Sequence, residues 1–173
     1  MVASLRNVEG KGLGCIANCK IKRGTLIERE EPALKVKVLE IETYSENLEQ
    51  SAGVIIDGFN RMVNKSKEDY LKLCNKFKML DPKLPDYNER LESLPKLREL
   101  IRRYISTSDL RDIDVETAAQ VFEIYKTNTF PNGVFLKISR FNHSCVANAE
   151  YVYPDKENVS GRALKNSKKM SLS

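Results

Sequence analysis

No C-x-x-C pair occurs in this sequence, and its one histidine, His143, stands among four widely spaced cysteines. Cys15 and Cys19 are four apart, Cys74 is alone, and Cys145 follows the histidine. A complete structural zinc site built by this chain alone is therefore not expected, and no metal ligands are assigned. No apolar run approaches the roughly 20 residues of a membrane-spanning helix. Met1 is not followed by a basic and then apolar leader. The expectation is an intracellular protein, in the nucleus and/or cytoplasm, with no membrane association and with thiols rather than disulfides. Long runs of one charge sign are also missing. The 29 Lys and Arg are interleaved with 24 Asp and Glu, so the net charge of +5 reads as a mixed solvated surface. Arg162 to Lys169 is the one local basic excess. No aromatic platform is interleaved with Lys35, Lys37 or that tail, so direct nucleic-acid binding is not expected.

What is present suits one folded domain. A chain of 173 residues buries a real core without room for two large domains, and 41% hydrophobic with 31% charged residues is an ordinary folded composition. Gly10, Gly12 and Gly14 alternate in Gly10-Lys11-Gly12-Leu13-Gly14. A dinucleotide-type glycine loop should follow a buried strand and open a helix. Here Ser4 to Glu9 is no buried strand. Short strands are expected around Cys15-Ile16-Ala17 and Lys22 to Ile27, with a turn at Arg23-Gly24. Ala33 to Leu39 alternates apolar and basic, which predicts a strand with one buried face.

From about residue 45 the period becomes helical. Leu48, Ala52, Ile55, Phe59 and Met62 predict an amphipathic helix of roughly 18 residues. Ser66 is expected to cap a second helix bearing Tyr70, Cys74 and Phe77 inward, and Ser93 a third bearing Leu94, Leu97, Ile101, Tyr104 and Ile105. Asp114 is expected to cap a fourth with Ala118, Phe122 and Tyr125 inward. These stripes read as packing surface, Cys74 included. Asn132-Gly133 signals a turn, Val134 to Ile138 a strand, and Asn148 to Tyr153 and Val159 to Leu164 two more.

The strand at Val134 runs into Ser139-Arg140-Phe141-Asn142-His143-Ser144-Cys145-Val146-Ala147-Asn148, where polar side chains crowd into one turn. An apolar strand that delivers a packed polar turn is a common way to build a site. A Cys145–His143 hydrolase is one reading, although a nucleophile and its base usually come from separate segments.

Arg140-Phe141-Asn142-His143-Ser144-Cys145-x-x-Asn148 resembles the signature of the SET-domain protein-lysine methyltransferases. Gly10 to Ala17 with Ile21 to Glu28 is similar to that family's glycine turn and first hairpin, and Thr127-Asn128-Thr129-Phe130 to its Asn-x-Phe element. The resemblance covers both β-rich ends. It implies an α+β SET-type fold in which short β-sheets from both chain ends enclose a helical insertion. As a single SET domain over residues 1–173, the chain divides into an N-terminal β part (1–42), a helical insertion (43–126) and a C-terminal β part (127–173). The insertion resembles the split-SET branch of SET-and-MYND proteins, without the cysteine-rich MYND module.

The resemblance further implies S-adenosyl-L-methionine as cofactor, bound by Lys11, Gly12, Leu13, Asn128, Phe141, Asn142 and His143. The expected substrate is a lysine of a histone tail or another protein, as in chromatin modification, and the expected state is a monomer. Two departures bear on this. The family's proline is Ala147 here. The Gly-Glu-Glu-aliphatic element and the channel tyrosine, the expected catalytic group, would lie beyond Ser173, as would the segment that shares zinc with Cys145. The expectation is a truncated chain of weak activity, with Cys145 a buried thiol. The alternative is an inactive SET scaffold that mediates protein interactions.

Overall fold

The computed structural model describes residues 2–9, 12–36, 48–77, 83, 87–108, 113–131, 133–141, 147–152 and 159–163. The elements run β1 (Ala3–Val8), β2 (Gly12–Ala17), β3 (Leu26–Glu30), α1 (Leu48–Asn60), α2 (Asn64–Leu71), α3 (Tyr87–Thr107) and α4 (Val115–Asn128). Then follow β4 (Thr129–Phe130), β5 (Gly133–Val134), a 3-10 turn (Ile138–Arg140), β6 (Ala149–Val152) and β7 (Val159–Ala163). The chain forms two compact units: Met1–Ala33 with Val134–Ser173, and Leu34–Gly133.

In the first unit β1 and β2 form an antiparallel hairpin from Ala3↔Ala17 to Val8↔Gly12. A three-stranded antiparallel sheet has the order β3-β7-β6. The turn before β3 is tied to the same sheet: Gly24 donates to the Ala163 carbonyl (2.8 Å) and Ala163 to that of Thr25 (3.1 Å). Gly24 has φ +82°, a conformation that favours glycine. Ala3, Cys15, Ala17, Ile21, Ile27, Phe141, Ala149 and Ala163 bury one another in a single small core. Small residues on facing strands let the layers approach, and Phe141 supplies the bulk.

The second unit is built on α4, against which α1, α2 and α3 pack. Ala52, Ile55, Ile56 and Phe59 of α1, Leu97 and Ile101 of α3, and Ala118, Val121, Phe122, Ile124 and Tyr125 of α4 are buried. Asp114 caps α4 as the sequence predicts, accepting the Thr117 N–H at 2.9 Å. Two close approaches depend on glycine: a Cβ on Gly53 would stand 2.6 Å from the Tyr104 ring, and one on Gly58 2.7 Å from Leu34.

Several expectations are corrected. The first helix is 13 residues long and ends at Asn60, before Met62. The second starts at Asn64 behind Val63, which makes no side-chain cap bond, so Ser66 lies inside it. It ends at Leu71, so the stripe stops short of Cys74, which is exposed. The third begins at Tyr87 and passes through Pro95, leaving Ser93 in its interior. Pro95 removes one backbone bond, but Leu91, Ser93, Pro95 and Lys96 are exposed, so water can serve the carbonyl left over. Ala33 to Val36 keeps the predicted alternation, with Leu34 and Val36 buried and Lys35 exposed, yet holds only an isolated bridge at Leu34. Residues 37–39 lie outside the described residues. The strand predicted from Val134 to Ile138 stops at Val134, because a side chain from β3 takes the following amides.

Candidate functional site

Gly12 opens β2 with φ +70°, and among the described residues nothing stands within 4 Å of where its Cβ would be. Its backbone faces open space in a conformation that glycine adopts at no steric cost, which suits close approach by a ligand. Leu13 follows and is 38% exposed. Strand β2 packs against the 3-10 turn that leads into Phe141, and β7 packs against the same turn. Phe141 and Cys15 of β2 belong to one core.

Phe141 is held from several sides. Its N–H donates to the Ile138 carbonyl at 3.0 Å. The Tyr151 hydroxyl on β6 donates to its carbonyl at 3.3 Å, and the two rings meet edge to face with centroids 6.1 Å apart. Gly161 on β7 leaves the space that the Phe141 ring fills. Lys11, Asn142 and His143 lie outside the described residues, as do Ser144 and Cys145. Thus the structure brings the Gly12 strand and the approach to the signature into one unit.

Asn128 belongs to the other unit. Its side-chain nitrogen donates to the Cys74 carbonyl (2.7 Å) and the Ile124 carbonyl (2.8 Å). Beside it, the Thr127 hydroxyl accepts the Lys76 N–H (3.4 Å), and the buried Glu123 carboxylate accepts from the Asn75 amide (2.9 Å). The polar end of α4 thereby clamps the segment that follows α2.

Lys137 pairs with Glu28 at 3.2 Å. Burial, with Glu28 adding to it, pushes the Cys15 thiol up to about 11, so it stays protonated and unreactive. Burial also holds the Glu30 carboxyl above its ordinary value, against the downward pull of three backbone N–H groups and Lys137. Among the described residues no cluster of three metal-ligating side chains occurs, and no helix is long and apolar enough to cross a membrane. Sequence reasoning missed Glu30, Tyr151 and Gly161. Only Gly161, an interior glycine in a predicted strand, carries a local signal of close approach.

The sequence matches the SET domain over residues 12–171. The chain belongs to the SET-domain family. No curated protein matches this SET domain in sequence. Among solved structures, the SET domain of LSMT bound to lysine and AdoHcy superposes with a TM-score of 0.53 at 10% identity, covering 99% of this chain and 49% of that one. The same SET domain bound to MeLysine and AdoHcy gives 0.58 at 13%, covering 99% and 48%. Rubisco LSMT bound to sinefungin and monomethyllysine gives 0.61 at 13%, covering 100% and 48%. At such identities the likeness shows the fold: an α+β SET arrangement with short antiparallel strands and, among the described residues, four helices. This SET domain spans about half the length of those structures.

Proposed function

We propose that this SET domain binds S-adenosyl-L-methionine and transfers its methyl group to a lysine side chain of a protein, histone or other. One observation carries the reading. A single small core joins β2, which begins at the open, positive-φ Gly12, to the turn that delivers Phe141. The solved relatives hold AdoHcy or sinefungin together with lysine or its methylated form, which supports the same ligand classes here.

The proposed donor residues are those that the resemblance implies: Lys11, Gly12 and Leu13 from the glycine turn, Asn128 from the Asn-x-Phe element, and Phe141, Asn142 and His143 from the signature. Glycine backbone allows close approach, and the Asn142 amide offers both donor and acceptor to an amino-acid group. When bound, the donor supplies a methyl carried on a sulfonium. The chain's part is to hold a neutral lysine amine in line with that methyl and to keep water out. The contiguous helical unit 34–133, which in sequence separates the two segments of the β unit, supports placement in the split-SET branch that resembles SET-and-MYND proteins without a MYND module. We take the protein to act as a monomer in the nucleus or cytoplasm.

Calorimetric titration with S-adenosylhomocysteine tests donor binding, and radiolabelled transfer to lysine-containing histone and non-histone peptides tests the reaction. Saturable binding with transfer is the expected result. No binding by the folded chain would refute the reading, and binding without transfer would support a scaffold that retains only the donor site.

A further inference from the structure

The last residue of β3, Glu30, reaches across the first unit to the segment before the signature. Its Oε1 accepts the N–H of Leu136 (3.0 Å) and of Lys137 (3.2 Å). Its Oε2 accepts the N–H of Lys137 (3.0 Å) and of Ile138 (3.0 Å). Three successive peptide N–H groups thus converge on one carboxylate. Charge-assisted bonds of this kind are the strong ones, and both oxygens are needed to satisfy all three donors. The carbonyls of the same turn face the other way. Arg140 donates to Lys137 (2.9 Å) and Phe141 to Ile138 (3.0 Å).

The consequence is a chain of bonds from β3 to the signature. Glu30 is fixed in its strand by pairing with β7 at Val159. It fixes the amides of residues 136–138, whose carbonyls fix Arg140 and Phe141, and Asn142 and His143 follow directly in the chain. Lys137 is the charged group beside the carboxylate, and its ammonium is directed to Glu28. Three amides gathered on an anion that is costly to bury indicate that the direction of this turn is being held.

We infer that Glu30 is a positioning residue for the methyl-donor site, setting the path of the chain into Phe141, at the head of the signature. The inference rests on the donor-binding reading given above. Glu30 touches no ligand in this account and acts through the backbone of the turn.

The variant Glu30→Gln tests it. The amide keeps the volume and one acceptor oxygen but turns an NH2 toward peptide N–H groups. Its affinity for S-adenosylhomocysteine, measured by calorimetry on protein with unaltered circular dichroism, should fall at least about tenfold. On the unaltered chain, saturating S-adenosylhomocysteine should slow amide exchange at Leu136, Lys137 and Ile138 by more than its general stabilisation slows the α4 amides, an excess that a mere anchor would not show. This second measurement decides the matter if the variant does not fold. Wild-type affinity in Glu30→Gln, or no such excess at the three amides, overturns the positioning role while donor binding stands. Failure of the unaltered chain to bind S-adenosylhomocysteine overturns the donor reading and this inference with it.

Discussion

The ring of Phe141 fills the space beside Gly161, with Cζ 2.9 Å and Cε1 3.0 Å from where a Cβ would be. Phe141 is buried and held by Tyr151 and the 3-10 turn, so the ring has no easy retreat. Gly161→Ala should therefore destabilise the chain by about 1–3 kcal/mol, the usual range for overpacking. Urea unfolding checks this. Phe141→Leu added to Gly161→Ala should cost less than the sum of the two single changes, because the shorter side chain relieves the contact. Strict additivity would mean that the two positions do not compete for space.

A second prediction concerns Asn128, whose amide bonds the Cys74 and Ile124 carbonyls at the end of α4. Asn128→Ala removes both bonds and should cost roughly 1–3 kcal/mol of stability. Asn128→Asp, which cannot donate, should cost at least as much. An unchanged urea midpoint for Asn128→Ala would show that Asn75 and Thr127 hold the segment after α2 by themselves.

The parts legible in the sequence were those with local causes. Asp114 capped α4 because its carboxylate needs only the Thr117 N–H three residues on. The positive φ of Gly12 falls within the alternate glycines, but the hairpin there joins Gly12–Ala17 to Ala3–Val8 and not to the Ile21–Glu28 segment that the resemblance implied. The misread parts had distant causes. Nothing near Val134 announces that Glu30, more than a hundred residues earlier, will take the amides of Leu136 to Ile138 and end the strand. Ser66 and Ser93 looked like caps by residue type, but α2 and α3 begin earlier, at Asn64 and Tyr87, and tertiary packing overrides such weak preferences. The signature identified the family, whereas the groups that hold Phe141 became visible only when β6 and β7 were placed around it.

The cysteines should separate by burial. Cys15 is buried in the β core with its thiol pushed up to about 11, whereas Cys19 and Cys74 are exposed. Iodoacetamide at neutral pH should label Cys19 and Cys74 in the folded chain and reach Cys15 only in denaturant, as read by peptide mass mapping. Rapid labelling of Cys15 under native conditions would contradict the packing described for β2.

The Glu30 carboxylate gives a pH prediction whose sign follows from its surroundings. Burial dominates and raises its folded value above the ordinary 4.5, while the three amides and Lys137 oppose that shift. Well above both values the group is ionised in folded and unfolded chains alike, and the cost of burying the anion is fully present. As pH falls, the folded chain takes up this proton first, so the Glu30 titration adds stability until the unfolded group is protonated too. Asp114 and Glu116 have the opposite sign, since hydrogen bonds from Thr117 and Arg98 hold their carboxyls low and that contribution is lost on acidification. Those groups are common to wild type and Glu30→Gln, so they cancel in a comparison of the two. Urea unfolding of both proteins, from neutral pH down through 4.5, should show wild type gaining on Glu30→Gln as the pH falls. A wild type that loses ground over the same window would mean that the three amides outweigh burial.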